Sequence, residues 1–185
     1  MADYEYTATP TLTNGTVSWN LCVVKPKSQA ACGTSPNYPS VTVPSNNANQ
    51  TFKFAISNDT TGLNIQFAPS PPPSTNVGPV WVQAGSKPTS PVLNAQIKDS
   101  KGNGNNNTEL TFTDKNDNTG TLVLNYQLNF VAPNGSAVAP IDPDITNGGK
   151  TLAHPAPFNT VALLIAVAVV LVIVVAVFMR MRSQH

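Results

Sequence analysis

The residues best suited to chemistry form a short cluster of acidic and amide side chains in the second half of the chain. Asp114, Asn116 and Asn118 alternate in the sequence DKNDNTG. Oxygen-bearing side chains at positions 1, 3 and 5 are typical of the start of a calcium-binding loop. The glycine falls one place late, however, and position twelve is Asn125 instead of a glutamate. Two interpretations follow: a calcium site, or a β-turn that uses Asx side chains.

Other reactive groups do not combine into a catalytic set. His154 and His185 are the only histidines, and both flank a long hydrophobic segment. A nucleophilic triad needs a histidine beside a serine or cysteine, and zinc and copper sites need several His or Cys ligands. The sequence contains no GxGxxG and no CxxCH motif. We therefore expect no enzyme activity, no cofactor and no metal beyond the calcium candidate.

Cys22 and Cys32 are the only cysteines, and they are ten residues apart. In an oxidising compartment they would bridge two neighbouring strands. In a reducing compartment they would be two half-buried thiols that pack as small hydrophobic groups. The sequence leaves both interpretations open.

Trp81 is the candidate contact surface. It follows a proline-rich stretch, APSPPP at 68–73. An exposed tryptophan has an apolar body and one N–H donor, which suits recognition of a partner. The alternative is that its ring stacks on the prolines as a structural clamp.

The charge pattern argues against nucleic acid as a partner. The net charge is +1, only 10% of the residues are charged, and the ten Lys and Arg are scattered. A nucleic-acid-binding protein usually carries a basic patch or stripe. We expect no nucleic-acid partner.

The segment 161–178 contains no polar side-chain atom. About 20 apolar residues span a hydrocarbon core of about 30 Å, and a lone span must be helical to satisfy its own backbone hydrogen bonds. The sequence predicts a single transmembrane helix at 160–179, followed by a short basic tail at 180–185. Membrane lipid is thus an expected partner. Small residues offer positions for packing on other helices; they are Ala162, Ala166, Ala168 and Ala176.

A span near the C-terminus predicts a tail-anchored protein of the inner (cytoplasmic) membrane. The simplest insertion leaves the soluble domain on the cytoplasmic side, which is the side we expect. Arg180 and Arg182 follow the span, whereas Lys150 precedes it. The positive-inside rule applied to these residues favours the periplasmic side for the domain instead.

The rest of the chain has the period-two hydrophobic pattern of β-strands. The clearest run has five alternating inward positions: Leu122, Leu124, Tyr126, Leu128 and Phe130. Further clear runs lie at 17–23, 52–56 and 63–67, and weaker ones at 4–9, 41–43, 80–83, 93–98, 109–113 and 136–139. Short strands at this spacing predict a single antiparallel β-sandwich of immunoglobulin-like architecture at 1–140. A linker rich in Pro, Gly and Asn is predicted at 141–159.

The end of this domain resembles a known family. The residues are YQLNFVAPNGSAVAPIDPDITNGG, with a hairpin strand at 126–130, the turn Asn134-Gly135, and then Asp142-Pro143-Asp144-Ile145. They resemble the close of the DP-EP family, a group of uncharacterised bacterial β-sandwich proteins. The resemblance implies the fold and a bacterial origin, and it implies no activity.

Three functional hypotheses fit the sequence. The first is a non-catalytic accessory subunit that braces a larger bacterial membrane complex, of photosynthetic or respiratory type, with other membrane-protein subunits as partners. The second is a membrane-tethered binding module for a protein, peptide or glycan. The third is a viral or surface-layer structural protein.

Overall fold

The computed structural model describes residues 3–69, 78–103 and 107–150, and these residues belong to one compact unit. None of the helices in these ranges is long and apolar enough to cross a membrane. The predicted transmembrane helix, with its four alanine packing positions and the basic tail, lies outside the described residues. So do residues 151–159 of the predicted linker.

The described residues are mainly β and form two mixed sheets. In chain order the strands are β1 Tyr4–Thr13, β2 Thr16–Lys25, β3 Ala31–Thr34, β4 Val41–Val43, β5 Gln50–Ile56, β6 Gln66–Phe67, β7 Val80–Ala84, β8 Ile97–Asn103, β9 Glu109–Asp114, β10 Leu122–Val131, β11 Ala137–Ile141 and β12 Asp144–Asn147. A short 3-10 helix, Lys27–Gln29, lies between β2 and β3.

The first sheet has the order β3-β2-β1-β5-β9-β8. The second sheet is built around β10, which pairs with β6 and β7 on one side and with β11 and β12 on the other, while β4 lies beside β12. The prediction of an antiparallel fold was wrong in one respect. β1 pairs with β5, and β12 with β4, in parallel. The long connection between the strands of each pair allows this, because it can return the chain in the same direction.

The first hairpin follows directly from local turn chemistry. Asn14 and Gly15 have φ values of 51° and 77°, as a type I′ turn requires at both central positions. The register runs from Thr13 opposite Thr16 back to Glu5 opposite Lys25. The Asn-Gly sequence therefore forms the tight hairpin turn of which it is typical.

The core lies between the two sheets and is rich in aromatic side chains. Phe112 on β9 stacks on Tyr126 on β10 with ring centroids 5.3 Å apart, and Trp19 on β2 stacks on Phe130 with centroids 4.2 Å apart. All four rings are at most 2% exposed. Each buried ring of this size contributes roughly 1.5–3 kcal/mol. The inward positions predicted for β10 are confirmed, although Leu122 is only half-buried.

Two predicted strands begin later than expected because polar side chains bind the backbone nearby. The 63–67 strand is reduced to β6, since the Asp59 carboxylate accepts hydrogen bonds from the amides of Thr61 and Ile65. The 93–98 strand begins only at Ile97, after a turn in which Asn94 Oδ1 accepts from the Gln96 amide. Such Asx interactions compete with strand pairing.

The linker was predicted to begin at residue 141, which is too early. Residues 141–150 belong to the folded unit, because Ile141 and Ile145 are fully buried and β12 is hydrogen-bonded between β10 and β4. Asp142-Pro143 and Gly148-Gly149 enclose a strand of only four residues. Pro and Gly residues this close together are typical of a loop in the sequence. Only the pairing with β10 and β4 shows that the segment is a strand of the sheet.

Candidate functional site

The acidic end of β9 is a buried hydrogen-bonding cluster. The Asp114 side chain is fully buried. Its Oδ1 accepts hydrogen bonds from the Asn116 amide at 3.0 Å and from Asn147 Nδ2 at 2.9 Å, and the Tyr126 hydroxyl donates to Oδ2 at 3.4 Å. The carboxylate thus joins the end of β9 to β10 and β12.

Asn116 connects the same cluster to the loop after β4. Its Nδ2 donates to the carbonyl oxygens of Pro44 and Asn47, each at 3.0 Å, and its Oδ1 accepts from the Gly149 amide at 2.8 Å. The residue is fully buried and has a φ of 45°, a conformation that Asn tolerates better than most residues.

The three residues of the calcium candidate make hydrogen bonds to other parts of the protein. Asn118 Nδ2 donates to Gly120 O at 2.7 Å, which leaves Asn118 Oδ1 as the buried oxygen of the three candidates without a partner. In the described ranges, no group of three or more His, Cys, Asp or Glu residues converges on one point. The interpretation as a turn with Asx side chains accounts for the contacts of Asp114 and Asn116.

Burial dominates the electrostatics of this cluster. It raises the pKa of Asp114, although the hydrogen bonds from Asn116, Asn147 and Tyr126 act in the opposite direction. It also raises the pKa of Tyr126 well above its ordinary value, and the charge of Asp114 adds to this effect. Both groups are enclosed by protein, so we assign them to the framework rather than to chemistry on a ligand.

Cys22 and Cys32 lie directly opposite each other on the antiparallel strands β2 and β3. They are joined as a disulfide, with the Cα atoms 4.0 Å apart. Cys32 is exposed and Cys22 is half-buried. The sequence left open a disulfide or two free thiols, and the structure contains the disulfide.

Trp81 lies in the middle of β7 between two buried residues, Val80 and Val82. Because successive side chains of a strand point to opposite faces, its ring is on the outer face of the second sheet. It is half-buried there and pairs across the ladder with Gln127 on β10. This position makes Trp81 part of a surface rather than part of the core.

A groove of about 360 Å³ runs beside the Trp81 ring. We call it the Trp81 groove. Gln127 and Asn129 of β10 line it from the sheet, and further along it is lined by apolar groups that include Val131, Ala137 and Pro140. The described residues that line the groove carry no charge. Its surface is mostly apolar with a few amide groups.

Two N–H donors at this groove have no hydrogen-bond partner. They are Trp81 Nε1 and Asn129 Nδ2, and both atoms are buried. Asn129 uses its other amide atom, Oδ1, to accept a hydrogen bond from Gln127 Nε2 at 2.8 Å. An unsatisfied buried donor costs about 1–3 kcal/mol, so two of them at one groove mark a place that would gain from an acceptor.

A second, larger cavity of about 690 Å³ lies on the outer face of the first sheet. It adjoins an irregularity in β8 between Lys98 and Lys101, where Asp99 has a φ of 55°. Hydroxyl groups of Thr51 and Thr113 line it. Of the described residues that line this cavity, Phe112 is the aromatic one, and its ring is buried in the core.

Sequence reasoning identified Trp81 but missed Gln127 and Asn129 as its neighbours. Their signal was the row of amides at alternate positions of β10, which were expected to face outward. The register between β7 and β10 was needed to bring this row beside Trp81.

No protein-family model matches the chain, and no curated protein matches it either. The resemblance to the DP-EP family therefore stays a prediction.

Proposed function

We propose that the chain is a non-catalytic, single-span membrane protein whose immunoglobulin-like β-sandwich acts as a tethered binding module. The observation that carries this proposal is the Trp81 groove, with its aromatic wall and two unpartnered N–H donors. Buried N–H donors without an acceptor destabilise the free protein. A bound partner that accepts hydrogen bonds from them would offset that cost. The structural clamp, the alternative interpretation of Trp81, would leave its N–H unexplained.

The absence of catalysis in this proposal is supported by how the polar groups are used. Asp114 and Asn116 bind other parts of the framework. The apolar segment 161–178 supports the proposal of a membrane anchor, because it is long enough and apolar enough to span a bilayer.

We further propose that the domain faces the periplasmic side, in contrast to the side that the sequence favoured. The disulfide between Cys22 and Cys32 supports this, because exposed disulfides persist in oxidising compartments and are rare in the cytosol. The positive-inside rule applied to Arg180 and Arg182 independently supports the same orientation.

Protease treatment of intact spheroplasts tests the orientation. We expect the domain to be digested from outside, and alkylation of the cells before lysis to leave Cys22 and Cys32 unmodified. A protected domain with two alkylated cysteines would overturn the periplasmic orientation.

The second candidate function is an accessory subunit of a larger membrane complex. It is favoured by the small residues of the predicted span, such as Ala162 and Ala166, which allow close packing on neighbouring helices. In that case the outer face of the second sheet would contact another subunit rather than a free ligand.

Size separation of native membranes in mild detergent, followed by mass spectrometry, distinguishes the two functions. We expect the tethered module to migrate as a small species. Stoichiometric co-migration with a large complex would support the accessory subunit and contradict the tethered module. Loss of that co-migration in a Trp81→Ala variant would locate the subunit contact at the Trp81 groove.

A further inference from the structure

The Trp81 groove has a lining that selects against charged ligands. Its described residues include no Lys, Arg, Asp or Glu. A charged group that entered the groove would lose hydration without gaining an ion pair, which is unfavourable. The ligand that fits this surface is therefore electrically neutral.

The polar groups of the groove match hydroxyl groups. Amide side chains both donate and accept hydrogen bonds, as hydroxyls do. Asn129 has a free donor, Nδ2, and Gln127 has a carbonyl oxygen, Oε1, as an acceptor beside it, because the hydrogen bond between the two side chains joins Gln127 Nε2 to Asn129 Oδ1. A ligand with hydroxyls on neighbouring atoms can use both.

Trp81 completes the match. The ring has an apolar face and a single N–H donor, and that donor is unpartnered. The two faces of a sugar ring carry C–H groups that pack on an aromatic plane, while its hydroxyls project from the edge. An indole flanked by amides on a sheet surface can thus hold a sugar ring by its face and its edge at once.

We propose that the Trp81 groove binds a neutral oligosaccharide. This inference rests on the proposed tethered binding module and names its ligand class. A proline-rich peptide also has apolar rings and free carbonyl acceptors, but proline lacks an N–H donor. Such a peptide would satisfy Trp81 Nε1 and Asn129 Nδ2 and leave Gln127 Oε1 without a donor. The saccharide is the better complement.

Binding requires a small local change. Trp81 Nε1 and Asn129 Nδ2 are covered in the free protein, so a ligand oxygen reaches them only after a side chain at the groove turns. Changes of side-chain rotamer are common at binding surfaces while the backbone stays in place. The groove is therefore expected to be preformed in its backbone and to adjust in its side chains.

The test is a titration of the full-length protein in a polyoxyethylene detergent, since sugar-based detergents would compete. The probes are cellohexaose, chitohexaose and maltohexaose, with a proline decamer as the comparison ligand. Indole N–H resonances report the site. Trp81 Nε1–H should shift, whereas Trp19 Nε1–H, which donates to Ala139 O at 2.7 Å in the core, should shift little.

Two variants and one control locate the binding. Trp81→Phe keeps an aromatic ring and removes the N–H, and Asn129→Ala removes the second donor. We expect each to weaken binding about tenfold, the factor that one lost hydrogen bond of about 1.4 kcal/mol produces. Val123→Ala is the control, because Val123 lies on β10 away from the groove and is 42% exposed.

The outcomes separate the ligand class from the function. A shift of Trp81 with at least one hexasaccharide, kept in Val123→Ala and needing about tenfold more ligand in Asn129→Ala, supports the saccharide. In Trp81→Phe, which has no indole N–H at this position, calorimetry should show binding of the same hexasaccharide weakened about tenfold. A shift with the proline decamer alone overturns the saccharide and leaves the binding module intact. No shift with any probe, together with co-migration in a large complex, overturns both.

Discussion

The side chain of Gln29 pairs with the backbone of Thr42 in the manner of a neighbouring strand. Its Nε2 donates to Thr42 O at 2.9 Å, and its Oε1 accepts from Thr42 N at 2.6 Å. The Tyr4 hydroxyl donates to the same carbonyl at 3.1 Å. Thr42 is the middle residue of the edge strand β4, so these side chains close an edge that would otherwise be open to pairing with another chain.

Replacement of Gln29 is expected to open this edge. In Gln29→Ala, the N–H of Thr42 loses its partner, so the free energy of unfolding should fall by about 1 kcal/mol and self-association should increase. Denaturant titration and light scattering in one detergent measure the two effects. Gln50→Ala is the control, because its Nε2 binds only the nearby Ala48 carbonyl. Equal behaviour of the two variants would contradict the role of Gln29.

The buried Asp114 carboxyl should make stability depend on pH. Its pKa is raised in the folded protein from an ordinary value of 3.8, so the folded state binds this proton more tightly than the unfolded state. The stabilisation is fully present below pH 3.8 and is lost as the pH rises through the folded pKa. This contribution should vanish in Asp114→Asn, which keeps the shape of the side chain.

Denaturant titration across this pH range measures the effect as a difference between the wild type and each variant. Asp99→Asn is the matched control, because Asp99 is exposed and lies in a conformation that Asn accepts. A pH dependence that is the same in Asp114→Asn and in the wild type would refute the assignment.

Gly149 should tolerate no side chain. A Cβ at this position would collide with the backbone carbonyl oxygens of Asn118 and Gly120, and its φ is 66°. Gly149→Ala should therefore cost about 3 kcal/mol or more, because the backbone of the buried cluster must move. Gly135→Ala is the control: its φ is 83°, but the space around it is open, so only about 1 kcal/mol of conformational strain is expected. Thermal unfolding of both variants decides the point.

Removal of the disulfide should weaken the edge of the first sheet. The bridge closes a short loop between β2 and β3, with a sequence separation of 10. A loop of this size predicts a loss of roughly 2–3 kcal/mol in the Cys22→Ala, Cys32→Ala double variant. Unfolding of the wild type with and without a reductant provides the comparison. No change in either measurement would show that the unfolded chain is not constrained by this bond.

Sequence alone determined the features that depend on neighbours along the chain. The Asn14-Gly15 turn and the alternation in β10 follow from backbone sterics and from the period of a strand, so both were predictable. The apolar stretch 161–178 lies outside the described residues, so the membrane span that its length and composition indicate stays a prediction.

Tertiary structure decided everything that depends on distant partners. β12 looks like a loop in the sequence, and it is a strand because β10 and β4 satisfy its backbone groups from both sides. Asp114 has the spacing of a metal ligand, yet burial among donors from β10 and β12 makes it a structural acceptor. Trp81 forms a groove only together with Gln127 and Asn129 of β10. The sequence of β7 could not predict this, because it does not specify the register in which a distant strand lies beside it.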